Sequence, residues 1–339
     1  MISIIIPCRN ERHSIGRALD SLAAQECPDA WEIIVADGMS DDGTRAVLAE
    51  YCGNESRIRT IDNPARSVSA GLNIAIQQAL GDIILRMDAH TEYAPDYVAQ
   101  CVRALENSGA DNVGGPARTR SEGIVQSAIA AAYHSPLSTG GARFHDASYE
   151  GYVDTVPYGC WRKTTLERIG LFDESLVRNQ DDELNLRLIR AGGKIWQSSK
   201  IVSWYRPRAS FAALFRQYFQ YGFWKGEVIR KHRIPASWRH LVPGTFVLAN
   251  IALLIASAAG SRLMLEVWLL CIALYGAACL AASVRAAQQN GWKLLPLLPF
   301  AFATFHVSYG LGFLAHVFHQ AIRRPGPPQP SRLFTSLTR

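Results

Sequence analysis

None of the chain's seven cysteines, at positions 8, 27, 52, 101, 160, 271 and 279, pairs with another at C-x-x-C spacing, and their number is odd. A zinc knuckle or a disulfide framework is therefore not expected, and a reducing compartment is. The first strand-to-helix junction lacks G-x-G-x-x-G, and G-x-x-x-x-G-K-[ST] occurs nowhere. This counts against a dinucleotide fingerprint or a P-loop, so any diphosphate would need a metal and arginine side chains instead. Charge is scarce as well. The formal net charge is +6 over 339 residues, and no Lys/Arg block resembles a nucleic-acid footprint, so no nucleic-acid partner is expected. The opening Met1-Ile2-Ser3-Ile4-Ile5-Ile6-Pro7 is too short for a signal-peptide core and meets charge at once. It is expected to be a first core strand, with the soluble half in the cytosol.

What is present divides into two unlike halves. Residues 1 to about 235 alternate apolar runs with charged and glycine-rich segments, whereas 241 to about 320 are mostly Leu, Ala, Ile, Phe and Val. The second half contains three stretches, about 243–260, 264–284 and 294–320, each long enough to cross a bilayer. Either Pro296 and Pro299 break the last one or make it re-entrant, or the charge of the tail that follows is overruled in setting the orientation. Lys225, Arg230, Lys231, Arg233 and Arg239 precede these stretches, and Arg323 and Arg324 follow them, which favours cytoplasm at both flanks. The aromatic stretch 211–224 reads equally well as a core helix or as an amphipathic helix lying in the membrane interface.

In the first half, 2–7, 32–36, 58–61 and 82–87 read as strands, the first ending in the loop Cys8-Arg9-Asn10-Glu11. Ile15, Leu19 and Leu22 give a helical stripe, and 45–51, with Ser40 and Asp41 as candidate caps, and 69–80 read as further helices. Strands alternating with helices predict a parallel α/β sheet whose ligands bind at the carboxyl ends of the strands.

Acidic residues sit at those ends. Asp88-Ala89-His90 follows the fourth strand, and an Asp and a His two residues apart can converge on one divalent cation, Mn²⁺ or a related ion. Asp37 and Asp41 follow the second strand, and the cluster Gln180-Asp181-Asp182-Glu183 comes later. His134, His145, His306 and His316 read as packing residues rather than ligands.

Taken in order, these motifs resemble the inverting family 2 glycosyltransferases. The segments are Ile4-Ile5-Ile6-Pro7-Cys8-Arg9-Asn10-Glu11, Asp37-Gly38-Met39-Ser40-Asp41-Asp42-Gly43-Thr44, Ser69-Ala70-Gly71-Leu72-Asn73, Asp88-Ala89-His90 and Gln180-Asp181-Asp182-Glu183-Leu184-Asn185-Leu186-Arg187. Within that family, Gly140-Gly141-Ala142-Arg143-Phe144, Val153-Asp154-Thr155-Val156 and Val177-Arg178-Asn179-Gln180 are similar to the ExoA-type enzymes of succinoglycan biosynthesis.

The resemblance implies an α/β fold of the GT-A type, a Rossmann-like nucleotide-sugar-binding domain, followed by C-terminal transmembrane helices. It implies domains at 1–210 (catalytic), 211–240 (interfacial), 241–322 (membrane) and 323–339 (a basic, Pro-rich tail). Pro7, Arg9, Glu11, Asp37, Asp41, Arg66 and Asp88 would bind the nucleotide sugar, with Asp37 on the uracil and Arg66 a candidate phosphate contact. Asp88 and His90 would hold Mn²⁺ or Mg²⁺, His90 standing where the family has a second Asp. Asp181 would be the catalytic base, with Asp182 the competing candidate. Gln180, Gln220 and Trp224 would lie in the acceptor region. The implied reaction moves a hexose, glucose by subgroup, from a UDP-sugar to a polyprenyl-diphosphate-linked oligosaccharide at the bacterial inner membrane, with the catalytic domain in the cytoplasm. Two alternatives are a processive polysaccharide synthase and an inactive membrane scaffold with a nucleotide-binding fold. Phe223 stands where the Q-x-x-R-W of processive synthases has Arg, which favours single addition.

Overall fold

The computed structural model describes residues 1–27 and 29–322; the expected basic tail at 323–339, including Arg323 and Arg324, lies outside the described residues. In chain order the elements are β1 (Ile2–Cys8), α1 (Ile15–Ala23), β2 (Trp31–Asp37), α2 (Thr44–Asn54), β3 (Ile58–Asp62), α3 (Val68–Gln78), β4 (Ile83–Arg86), β5 (Glu92–Tyr93), α4 (Tyr97–Ser108) and β6 (Asn112–Gly114). Then come α5 (Gly123–Tyr133), α6 (Pro136–Thr139), β7 (Gly151–Tyr152), β8 (Cys160–Arg162), α7 (Lys163–Ile169), α8 (Gln180–Arg190), β9 (Ile195–Gln197) and β10 (Ser203–Trp204). Four long helices close the described chain: α9 (Phe211–His232), α10 (Val242–Ala258), α11 (Arg262–Asn290) and α12 (Leu298–Ile322). Two compact units result, Met1–Thr119 with Arg143–Arg206, and Arg120–Ala142 with the residues from Pro207. The break at 206/207 lies near the expected one at 210, but 120–142, expected within the first domain, groups with the second unit.

In the first unit, eight strands form one sheet in the order β3-β2-β1-β4-β8-β6-β9-β7. β1 to β4 are mutually parallel as expected, with Ile4 opposite both Ile33 and Leu85. β8 is antiparallel to β4 and β6, and β7 to β9, so the sheet is mixed rather than parallel throughout. The expected rule fails where the strand–helix alternation stops: β8 enters after the chain has left for 120–142, so no single crossover helix dictates its direction.

Alternate side chains of the parallel strands fill two cores. Ile4, Ile6, Ile33, Val35, Leu85 and Met87 pack with Ile15, Leu19, Leu22 and Val98 on one face. Ile5, Ile34, Ala36 and Ile84 pack with Leu72, Ile76, Leu166 and Leu184 on the other. Each fully buried Ile or Leu contributes about 1.5–3 kcal/mol, and strands buried on both faces read as the continuous apolar runs seen in the sequence. At the amino end of this sheet Glu32 accepts from Ser3 Oγ and from the Leu80 N–H, both at 2.7 Å, and from Arg59 Nε at 3.0 Å. Gly81 is needed where β4 begins, because a Cβ there would lie 2.7 Å from the Met1 carbonyl oxygen.

In the second unit α9 packs along α12 with the backbones touching. A Cβ at Gly222 would lie 2.0 Å from the Tyr309 carbonyl oxygen, and one at Gly312 would lie 1.9 Å from that of Phe219. The aromatic stretch read as core or interfacial is thus a packed helix, with Leu214, Phe223, Trp224 and Val228 buried. Helices Trp238–Ala258, Arg262–Asn290 and Leu298–Ile322 are long and apolar enough to cross a membrane. Leu248, Ile251, Leu254 and Ile255 on α10 and Leu265, Leu269, Leu270 and Leu274 on α11 are exposed. So continuous an apolar surface calls for lipid rather than water and supports membrane association.

The last span is one unbroken helix, contrary to the expectation drawn from its prolines. Pro296 precedes it, and Pro299 falls in the first turn, where an N–H has no intrahelical partner to lose. His306 links three segments of this unit: its Nε2 lies 2.9 Å from the Leu137 carbonyl oxygen and its Nδ1 2.9 Å from the Tyr275 hydroxyl. A carbonyl can only accept, so Nε2 carries the proton and Nδ1 accepts from the tyrosine.

Candidate active site

The loops after β1 and β2 are bound to each other along their length. Asn10 donates from its backbone to Ser40 Oγ at 2.8 Å and from Nδ2 to Asp41 Oδ1 at 2.9 Å, and Asp41 N–H returns a bond to Asn10 Oδ1 at 3.0 Å. Glu11 N–H donates to Thr44 Oγ1 at 2.8 Å, and Arg12 N–H to Asp42 Oδ2 at 3.2 Å. The Arg9 side chain lies over Gly38, where a Cβ would meet it at 3.1 Å. Pro7, Arg9, Glu11 and Asp41 are thereby gathered at the carboxyl ends of neighbouring strands, as expected.

Two details of the second turn differ from expectation. Asp37 is fully buried, and its carboxylate accepts from Ser40 N–H at 3.1 Å and pairs with Arg45 Nε at 3.2 Å. It organises the turn, and in this arrangement its side chain presents no oxygen at the surface. Ser40 and Asp41 do not cap α2. Gly43, at φ 98°, precedes that helix, and Asp42 Oδ1 accepts from Thr44 N–H at 3.0 Å.

At β4 the informative residue is Arg86. It shares the strand face of Ile84, the face covered by α8, because side chains alternate along a strand. Its guanidinium is buried, with Nε 3.1 Å from Asp88 Oδ1 and Nη2 3.5 Å from Asp88 Oδ2, while Nη1 donates to Asp181 Oδ1. Burial pushes the Asp181 carboxyl up to about 6; Arg86 opposes that rise, and the charges of Asp88 and Asp182 reinforce it. Asp88 N–H donates to the Tyr93 hydroxyl at 2.6 Å, and the Tyr158 hydroxyl lies 2.8 Å from Thr91 Oγ1. Burial, helped by the Asp88 charge, keeps the Tyr158 phenol protonated.

Gln180, Asp181, Asp182 and Glu183 form the first turn of α8, where the helix dipole favours negative charge. Asp181 is partly exposed and Gln180 buried. Glu183 is fully buried and pairs with Arg187 at 2.7 Å, and Arg187 Nη2 also donates to the Leu171 carbonyl at 2.6 Å. This pair supports the loop beneath the helix.

The remaining expected residues differ in their surroundings. His90 is exposed, with Nδ1 3.4 Å from Glu11 Oε1. Arg66 is exposed on the turn after β3, the edge strand of the sheet and three strands from β4 in the strand order. Gln220 and Trp224 belong to α9 of the second unit, where both are buried.

Among the described residues no group of three or more His, Cys, Asp or Glu side chains is arranged to hold a metal ion. The donor set still fits a cation bound together with a nucleotide. Such ions take one or two protein ligands and complete their shell with phosphate oxygens and water. A carboxylate has about four acceptor positions, of which Arg86 takes two on Asp88.

The sequence reading missed Arg86, Tyr93, Tyr158 and Arg45. A charged residue within the apolar run of a two-face-buried strand was the available signal, since burying it costs free energy unless acids meet it.

Residues 3–161 match Glycosyl transferase family 2. The succinoglycan biosynthesis protein ExoA of Rhizobium meliloti (strain 1021) is 32% identical over 91% of this chain and 93% of its own length. A dolichyl N-acetyl-alpha-D-glucosaminyl phosphate glucuronosyltransferase of the diacetamido-dideoxy type, from Methanococcus voltae, is 30% identical over 91% of this chain and 95% of its own. Among solved structures, the mannosyltransferase PcManGT of Pyrobaculum calidifontis, in complex with GDP-Man and Mn²⁺, superposes with a TM-score of 0.60 at 19% identity. The match covers 91% of this chain and 86% of that one. At that identity the likeness concerns the fold alone.

Proposed function

Because the chain belongs to glycosyl transferase family 2 and is a glycosyltransferase of polysaccharide or lipid-linked glycan biosynthesis, we propose that it transfers glucose, with inversion, from a UDP-sugar to a polyprenyl-diphosphate-linked oligosaccharide. The first unit carries out the transfer on the cytoplasmic side of a bacterial inner membrane, and the three apolar helices anchor it there. The observation that supports this reading is the partly exposed Asp181, held by Arg86 beside Asp88 at the carboxyl end of β4.

Asp181 takes the proton of an acceptor hydroxyl as that oxygen attacks the anomeric carbon. The bond from that carbon to the diphosphate oxygen breaks, and the nucleoside diphosphate leaves with the electron pair. A carboxyl pushed up to about 6 is ionised at neutral pH yet basic enough to share a proton. Asp88 and His90 would hold the divalent cation, Mn²⁺ or Mg²⁺, which when bound neutralises charge on the departing diphosphate. The interlocked loops of Pro7–Glu11 and Asp37–Asp41 form the floor for the nucleotide, to which the half-buried Arg9 and the exposed Asp41 would offer polar groups. Phe223, in place of arginine, and three spans in place of a larger channel favour addition of one sugar per encounter.

The test is to incubate membranes containing the protein with a panel of labelled nucleotide sugars and lipid-linked acceptors. Mass spectrometry then identifies the sugar added. Transfer of glucose from its UDP donor is expected, and transfer from another donor alone overturns the choice of sugar. UDP release that does not depend on any lipid-linked acceptor overturns the choice of acceptor.

A further inference from the structure

We propose that Arg86 is a positioning residue for glycosyl transfer: its buried guanidinium fixes the Asp181 carboxylate so that one oxygen is left facing the acceptor, and ties that carboxylate to Asp88. The inference rests on the reading of Asp181 as the base.

All three guanidinium nitrogens are engaged. Nε and Nη2 face the two oxygens of Asp88 at 3.1 and 3.5 Å, and Nη1 donates to Asp181 Oδ1. The three residues come from two elements, Arg86 and Asp88 from the end of β4 and Asp181 from the first turn of α8. Asp181 Oδ2 takes no hydrogen bond among the described residues, and the side chain is 37% exposed while that of Arg86 is 6% exposed. A short carboxylate on the first turn of a helix would otherwise swing between rotamers; a bond to Oδ1 selects the one that leaves Oδ2 outward.

Charge supports the same conclusion. Asp88 and Asp181 are like charges, and the single Arg86 guanidinium lies between them and bonds both. A buried ion pair of this kind is weak evidence for stability, since apolar replacements of similar volume often serve a fold as well. Its placement on the two acids assigned to donor and acceptor chemistry is what marks it as functional. Arginine is required because its planar fork meets two carboxylates at once, whereas a lysine ammonium is a single point charge.

The experiment is a double-variant cycle on the full-length protein in detergent, using R86Q, D181N and R86Q/D181N, with R86K as the conservative variant. R86Q is expected to lower kcat by about 10²-fold, the usual result of misplacing a reacting group by an ångström, and to leave the acceptor KM within about threefold. R86K should recover part of that loss, roughly tenfold. The double variant should be no slower than D181N, because residues that act as a unit are not additive. An R86Q loss that multiplies in full onto the D181N loss, or R86Q activity above half of the original, overturns the proposal. If R86Q fails to fold, R86K and R86K/D181N make the same cycle with the same criterion. Full activity of D181N would instead overturn the reading of Asp181 as base, so the two failures are distinguishable.

Discussion

His90 Nδ1 stands 3.4 Å from Glu11 Oε1, so the imidazole that follows β4 leans toward the loop that follows β1. The candidate metal ligand and a candidate nucleotide-binding residue are therefore neighbours. In D88A and H90A, metal-dependent UDP affinity is expected to fall at least about tenfold, the lower range seen even for partners of metal ligands. Calorimetric metal titration with UDP present measures this, and unchanged affinity in both variants removes the assignment.

Asp181→Asn nearly preserves side-chain volume but removes the base. Transfer is expected to fall by roughly 10²–10⁴-fold, with UDP-sugar affinity little changed. Asp182→Asn should be much milder. Equal losses in the two variants, or a larger one in D182N, would show that the choice between these neighbours is wrong.

The acid limb of kcat/KM gives a third expectation. With the Asp181 carboxyl pushed up to about 6, activity should be full above that pH and lost as pH falls through it, because protonation removes the base. The Asp182 charge contributes to the rise, so D182N should move the limb to lower pH. A limb that stays in place in D182N would remove Asp182 from the electrostatics of the site.

Arg187→Ala removes the guanidinium that meets the buried Glu183 carboxylate and donates to the carbonyl of Leu171. Breaking a buried pair on one side costs about 3–5 kcal/mol; the partial exposure of Arg187 places the expectation at the low end. The thermal unfolding midpoint in detergent should drop, and an unchanged midpoint would count against the supporting role of the pair.

Gly312→Ala places a methyl group 1.9 Å from the Phe219 carbonyl oxygen unless α9 and α12 separate. Overpacking of this kind costs about 1–3 kcal/mol. Cysteine cross-linking yields between the two helices should fall in G312A relative to the parent; equal yields would mean the helices accommodate the methyl group without separating.

Much of this was legible from residue order. β1 to β4 were placed to within a residue or two because isoleucine-rich runs buried on both faces leave a continuous signal. Asp88 stands out because an acid following such a run is conspicuous, and Asp181 because its cluster resembles the family's motif. Arg86 was not found: a run read only as apolar hides which of its residues share a face, and the meeting with Asp181 depends on the position of α8 on that face. The burial of Asp37 was also illegible, since it depends on Ser40 and Arg45 folding back over it. For α9, Gly222 and Gly226 one turn apart were a visible sign of close helix packing, overshadowed by the aromatic residues between them.

The backbone passes between the two units three times, at 119/120, 142/143 and 206/207. A protein whose anchor simply followed its catalytic half could be trimmed to a water-soluble enzyme with one cut. Here a fragment ending at 206 would retain α5, whose Ala128, Ile129, Ala131 and Ala132 are buried with Leu214, Leu298 and Phe302 of the removed part. Such a fragment would expose a greasy internal insertion and tend to aggregate. A soluble version instead calls for excising 120–142 and rejoining 119 to 143, so the location of this insertion, rather than the end of the α/β sheet, decides where the gene can be cut.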